Sequence, residues 1–316
     1  MLSLKVLNKD SYPIAVIKEE KKVLETVYFT EPKRSSPDQK IPFEKQAEEY
    51  LDSSSKHNEY HLAQGYTFEA VPTITVNSGT QPRFVNYYLS ASNSGKSFQI
   101  AALCRRYLQM YPKNLIAYAS ANPIENDVNY DDIRDKIHVV DVLNLESQID
   151  FKDEQYQNSL WIFDDCDSGF SASMDDLDER LTSAELDKLT VTEKQKALNM
   201  LKKKIEIASE WINKSIKSFM MNGRKMSQSL CIVGHKPFEG RGENQIINES
   251  TGVVIFPASV KKNTLEDFLV KKLSFGKKEA AELLYENKWY RYEWCYISHR
   301  TSVPFAMSEY FIKLYP

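Results

Sequence analysis

Apolar and polar positions follow two different rhythms along this chain. In residues 1–31 they alternate in short runs, LKVL, YPIAVI and VLETVYF, with a charged KEEKK between the last two. A period of two is the signature of half-buried strands joined by turns. Residues 32–60, PKRSSPDQK through LDSSSKHNEY, are polar and read as a connector with one short helix near Phe43–Leu51. The alternation returns in GYTFEAVPTITV, residues 65–76, which predicts a further strand or two. No internal repeat is visible.

From about residue 84 the rhythm changes. Continuous apolar runs (FVNYYLS, LIAYASA, IHVVDVL, SLWIFDD, SLCIVGH, GVVIFP) are separated by longer stretches with helical spacing, the first being KSFQIAALCRRYLQMY. Strands that are apolar throughout need cover on both faces, so the pattern predicts a mainly parallel sheet between layers of helix. The tract from Ser173 to Asn222 holds no Gly or Pro and reads as two or more helices with a break near Leu189–Thr192. Thr182 with Glu185 is a capping-box pair there. Two amphipathic helices, TLEDFLVKKL and KKEAAELLYEN, then an aromatic strand WYRYEWCYIS and a closing strand or helix SEYFIKLYP complete the chain. The fold class expected is α/β. Residues 1–83 form a small β-rich extension with its connector, and residues 84–316 form the main domain.

Charge changes this picture by its distribution. The net charge is −3, but residues 1–200 carry 22 basic and 32 acidic side chains, whereas residues 201–316 carry 19 and 12. A uniformly basic nucleic-acid coat is excluded, and any contact with phosphate backbone falls to the second part. The hydrophobic share of 42% excludes wholesale disorder. The N-terminus lacks a secretory pattern and no apolar run is long enough to span a bilayer, so an intracellular protein is expected. Cys104, Cys166, Cys231 and Cys295 lie far apart in or beside apolar segments, as reduced core thiols do.

The chemistry concentrates in three places. Ser90-Ala91-Ser92-Asn93-Ser94-Gly95-Lys96-Ser97 matches the phosphate-binding pattern G-x4-G-K-[ST] except that Ser90 takes the first glycine's place. It lies between a predicted strand and a predicted helix. In that setting backbone N–H groups surround a phosphate, Lys96 reaches the β- and γ-oxygens, and the Ser97 hydroxyl takes Mg²⁺. The second place is Ser159–Asp165, an apolar strand closing on two carboxylates. Asp164 is expected beside the metal held by Ser97, with Asp165 polarising the attacking water. The third is Asn222–Gln228, which feeds the strand Ser229–Gly234 and ends at His235. There His235 is a candidate sensor of the γ-phosphate, and Arg224 a candidate arginine acting in cis or on a neighbouring subunit, with Arg241 a further one.

Together SASNSGKS, SLWIFDDCD, the Gly-Arg-Lys before SLCIVGHK, and CYISHRT with FIKLYP resemble the FtsK–HerA superfamily of ring-forming, DNA-translocating ATPases. The resemblance is strongest to the poxvirus-type DNA-packaging ATPases of large DNA viruses, and it covers about residues 84–316. It implies an ASCE/RecA-like P-loop domain that binds ATP and Mg²⁺ and works as a homo-oligomeric ring. It also implies double-stranded DNA as the sequence-independent substrate, capsid or portal-vertex proteins as partners, and host cytoplasm, virus factory or virion as location.

Two other functions fit parts of the pattern. One is a nucleotide-binding assembly protein with slow or no hydrolysis, suggested by Ser90 and by Asp165 where many ATPases carry Glu. The other is a small-molecule kinase, which an acidic segment after Asp165 disfavours because a kinase lid needs arginines. No guanine-reading Asn-Lys-x-Asp is present. Most of the basic residues after 200 read as solvated helix faces; in a ring some of them are expected to line the pore, in contact with phosphate rather than bases.

Overall fold

A computed structural model describes residues 1–9, 11–30, 43–70, 83–91, 93–120, 124, 127–143, 149–164, 190–234, 243–299, 301 and 303–315. Its centre is a ten-stranded mixed sheet in the order β4-β14-β13-β12-β11-β6-β10-β9-β7-β8. Six neighbouring strands are parallel: β6 (Val85–Leu89), β7 (Ile116–Ser120), β8 (Ile137–Asp141), β9 (Leu160–Phe163), β10 (Ser229–Gly234) and β11 (Gly252–Ile255). The remaining four are antiparallel: β12 (Cys295–Ser298), β13 (Phe305–Met307), β14 (Phe311–Leu314) and the edge strand β4 (Glu59–His61). This is the α/β sheet, mainly parallel at its centre, that the apolar runs predict. The edge strand comes from upstream of residue 84, within the segment read as a connector.

A second, antiparallel sheet has the order β1-β3-β2-β5, made of Leu2–Ser3, Lys22–Thr30, Ser11–Glu19 and Tyr66–Ala70. It answers the alternating runs of the first 70 residues. Residues 45–50 form the expected short helix, as one 3-10 segment.

Alternate side chains of each central strand enter opposite cores, which is why these runs are apolar throughout. Phe84, Tyr88, Leu160 and Ile162 join a core with Ile100, Ala101 and Cys104 of helix α1 (Lys96–Met110) and with the small sheet. Val85, Tyr87, Leu89, Trp161 and Phe163 enter the other core. Helices α2 (Val191–Asn222), α3 (Glu243–Glu249), α4 (Lys262–Lys272) and α5 (Lys277–Ala281), with the π-turn Glu282–Glu286, cover that second face. Trp161, Phe163 and Phe219 are fully buried there and touch one another. Each such side chain contributes about 1.5–3 kcal/mol by leaving water.

The 32-residue α2 begins where the helical tract was expected to break. Thr190 caps it through a box with Glu193: the Glu193 N–H donates to Thr190 Oγ1, and the Thr190 N–H donates to Glu193 Oε2. Thr182 and Glu185 lie outside the described residues. The aromatic run Trp289–Trp294 is a correction. It is not strand but a turn, with Tyr292 in the left-handed region at φ 77°, and strand structure starts only at Cys295. The alternation of aromatic and charged residue types misled, because Tyr290, Arg291 and Tyr292 are exposed in succession and only Trp294 is buried. The closing segment is strand, not helix. Cys104, Cys231 and Cys295 are buried free thiols; burial raises the pKa of each, that of Cys104 to about 12.

Candidate nucleotide and metal site

Parallel strands present all their C-terminal ends at one edge of the sheet, and the site is built there. Register aligns Leu89, the last residue of β6, with Gly234, the last of β10, and with Ile255 of β11. Phe163, the last of β9, aligns with Ile232. Strand β10 therefore lies between the strand that leads into Ser90–Ser97 and the strand that leads into Asp164.

The turn from β6 into α1 explains why serine serves at position 90. The left-handed conformations fall on Asn93 (φ 58°) and Gly95 (φ 98°), and Ser90 is not among the positive-φ residues. Asparagine tolerates that region and glycine enters it freely, so the glycine requirement sits at Gly95. Ser90 is fully buried; its hydroxyl pairs with that of Ser94 and reaches the Ala91 carbonyl at 3.1 Å. The Ser90 N–H donates to the Gly234 carbonyl at 3.3 Å, tying the loop's start to β10.

Lys96 opens α1 and is only 8% exposed. Its ammonium donates to the carbonyls of Ser90 (3.1 Å) and Ala91 (2.9 Å), so the charge lies inside the loop's own curve. A buried ammonium must be bonded, and these carbonyls bond it. Gly95 is also pressed by a residue from far down the chain. A Cβ there would stand 3.4 Å from Cβ and Cδ1 of Tyr292, whose ring carries the Arg291 guanidinium 4.9 Å from its centroid.

Asp164 continues β9 by one residue, its N–H donating to the Ala119 carbonyl at 3.0 Å. By strand alternation its side chain shares the face of Ile162, which is the face covered by α1. Its Oδ2 accepts a 2.5 Å hydrogen bond from the hydroxyl of Tyr118 on the neighbouring strand β7. Sequence reasoning did not single out Tyr118; its signal was a polar-tipped side chain within the otherwise apolar run LIAYASA. A carboxylate and the hydroxyl of Ser97 are hard oxygen donors, and a site with few protein ligands suits Mg²⁺, which keeps waters and binds substrate phosphates. The donor set therefore fits the ion. No group of three or more His, Cys, Asp or Glu that could hold a metal ion exists among the described residues.

The remaining expected residues divide. Ala91, Asn93, Ser94, Gly95, Lys96, Ser97 and Asp164 come together at the C-terminal edge. Ser92, Asp165, His235 and Arg241 lie outside the described residues. Arg224 does not reach this edge within its own chain. It lies in the turn after α2, five residues before β10 begins, and thus at the N-terminal edge of the sheet. Its neighbour is Arg83, just ahead of β6, whose guanidinium donates to the Phe219 carbonyl at 3.0 Å near the end of α2. Burial, and then the charge of Arg224, lower the pKa of Arg83 to about 10. Of the two roles expected for Arg224, the one in cis is corrected: strand direction separates it from the phosphate loop.

Comparison with protein-family models finds no match, and comparison with curated proteins finds none either. Among solved structures, the DNA-packaging ATPase B204 from Sulfolobus turreted icosahedral virus is similar at 13% identity and a TM-score of 0.42, over 74% of this chain and 97% of that one. The KaiC-like protein PH0186 of Pyrococcus horikoshii OT3 is similar at 11% identity and a TM-score of 0.34, over 74% and 91%. The pCW3 conjugation coupling protein TcpA is similar at 10% identity and a TM-score of 0.35, over 96% and 77%. Identities this low concern the arrangement of the chain and assign it no activity.

Proposed function

We propose that this chain is an ATP-hydrolysing P-loop enzyme that moves double-stranded DNA, packaging it into a preformed capsid as a homo-oligomeric ring. The observation that carries the enzymatic part is the meeting of Ser90–Ser97 and Asp164 at one sheet edge, on strands held apart by β10.

Chemically, the buried Lys96 ammonium exchanges its two loop carbonyls for β- and γ-phosphate oxygens of ATP, so the charge it carries is never left unpaired. The N–H groups at the start of α1 point toward the same phosphates, adding the partial positive charge of the helix end. Ser97 and Asp164 would hold Mg²⁺, which would supply positive charge against the phosphates. Asp165 is assigned to the attacking water, His235 to sensing the γ-phosphate, and Arg224 to a neighbouring subunit's nucleotide. Basic side chains after residue 200 take the DNA backbone, and capsid or portal-vertex proteins are the further partners, in host cytoplasm, virus factory or virion. No helix among the described residues is long and apolar enough to cross a membrane.

The test is steady-state ATP turnover with and without duplex DNA. The expected result is turnover that DNA stimulates, that falls steeply with salt, and that Lys96→Ala lowers at least a hundredfold. Wild-type protein that binds ATP yet does not turn it over would replace this reading with that of a nucleotide-binding assembly protein.

A further inference from the structure

Tyr118 is buried, and three features define its surroundings. Its hydroxyl donates to Oδ2 of Asp164 across 46 residues of sequence. Its ring packs edge-on against Tyr130, centroids 5.7 Å apart at 67°. Its strand holds Asp164 a second way, through the bond from the Asp164 N–H to the Ala119 carbonyl.

Strand β7 therefore grips Asp164 twice, once by backbone and once by side chain. A carboxylate at a strand end turns about two side-chain torsions, and one bond to Oδ2 removes most of that freedom. The donor cannot drift, because Tyr118 is 6% exposed and Tyr130 blocks its ring. A bond to a charged acceptor in a buried setting is also stronger than one between neutral groups. Metal-binding carboxylates are ordinarily oriented by such outer partners, whose loss weakens metal affinity about 10–100-fold.

We propose that Tyr118 is a positioning residue for the magnesium ion, aiming the Asp164 carboxylate so that ATP and metal bind together. The proposal rests on the ATPase reading above and names the residue that makes its metal site specific in direction. Packing alone is the competing explanation, and Tyr130 separates the two. Tyr130 touches the same ring, is fully buried, and its own hydroxyl has no hydrogen-bond partner among the described residues. Removing the Tyr130 hydroxyl alters the pocket around the same ring while leaving the Tyr118–Asp164 hydrogen bond in place.

The experiment titrates Mn²⁺, read by electron spin resonance, into the full chain with a non-hydrolysable ATP analogue. Tyr118→Phe, Tyr130→Phe and wild type are compared. Analogue binding in EDTA and thermal midpoints are measured alongside. Tyr118→Phe is expected to weaken Mn²⁺ uptake about 10–100-fold, to leave analogue binding in EDTA within twofold, and to melt near wild type. Tyr130→Phe is expected to keep Mn²⁺ affinity. Equal affinity in Tyr118→Phe and wild type, or equal losses in both variants, would overturn the proposal while leaving the ATPase reading intact. Wild-type protein that takes up no Mn²⁺ with the analogue would overturn both.

Discussion

Gly252 opens β11, the strand beside the one that carries the phosphate loop, and it offers a sharp test of how the two are packed. In the antiparallel pair β11–β12, Val254 lies opposite Tyr296, so Tyr296 leans diagonally over Gly252 on the same face. A Cβ at Gly252 would stand 2.4 Å from Cε2, Cζ and Oη of that ring. Ordinary carbon contacts begin near 3.5 Å, so Gly252→Ala must push the ring by about 1 Å. The ring has little room: Tyr296 is 5% exposed and meets the Phe305 ring at 6.0 Å. Overpacking of this kind costs about 1–3 kcal/mol. At about 2–4 °C per kcal/mol, the thermal midpoint should fall by about 2–12 °C. Differential scanning calorimetry of Gly252→Ala, Tyr296→Leu and the double variant measures it. Because the smaller side chain removes the clash, the two changes should be non-additive by at least about 1 kcal/mol. An unchanged midpoint, or strict additivity, would refute the reasoning.

Two further outcomes follow from particular residues. Glu59 on the edge strand has its pKa lowered from 4.5 to about 2, first by its hydrogen bond with His61 and also by the Lys313 ammonium at 3.2 Å. A depressed pKa stabilises the fold above pH 4.5 and loses that contribution as pH falls toward 2. The stability gap between wild type and Glu59→Gln, on the order of 1–3 kcal/mol at pH 6, should therefore close on acidification in denaturant titrations, and a gap constant with pH would refute it. Arg224→Ala, at the far edge of its own chain's sheet, should leave ATP-analogue affinity of the dilute, monomeric protein within twofold by fluorescence titration while lowering DNA-stimulated turnover of the assembled ring; a tenfold loss of affinity in the monomer would place Arg224 at its own chain's nucleotide and refute this.

The legible part of this protein is the local part. A phosphate loop is contiguous, and its glycine, lysine and serine mean something only between a strand and a helix, both of which announce themselves by periodicity. Asp164 was readable for the same reason, as the first charge after an unbroken apolar run. The start of α2 lies at Thr190 and Glu193, three residues apart, a spacing that Thr182 and Glu185 share. The aromatic turn at 289–294 was misread because aromatic and charged residue types alternate there as they would in a strand, whereas the left-handed Tyr292 breaks the chain's direction and Tyr290, Arg291 and Tyr292 are all exposed.

What the sequence determined by itself was thus the elements and the residue types proposed to hold a nucleotide and a divalent ion. Tertiary structure decided everything that depends on which strands become neighbours. It inserted β10 between β6 and β9, brought Tyr118 to Asp164, carried Tyr292 to Gly95, drew Glu59–His61 into the main sheet, and sent Arg224 to the opposite edge. The physical reason is that strand pairing joins segments through backbone hydrogen bonds, which carry no residue identity. Order and register follow from how two cores fill, not from any local pattern.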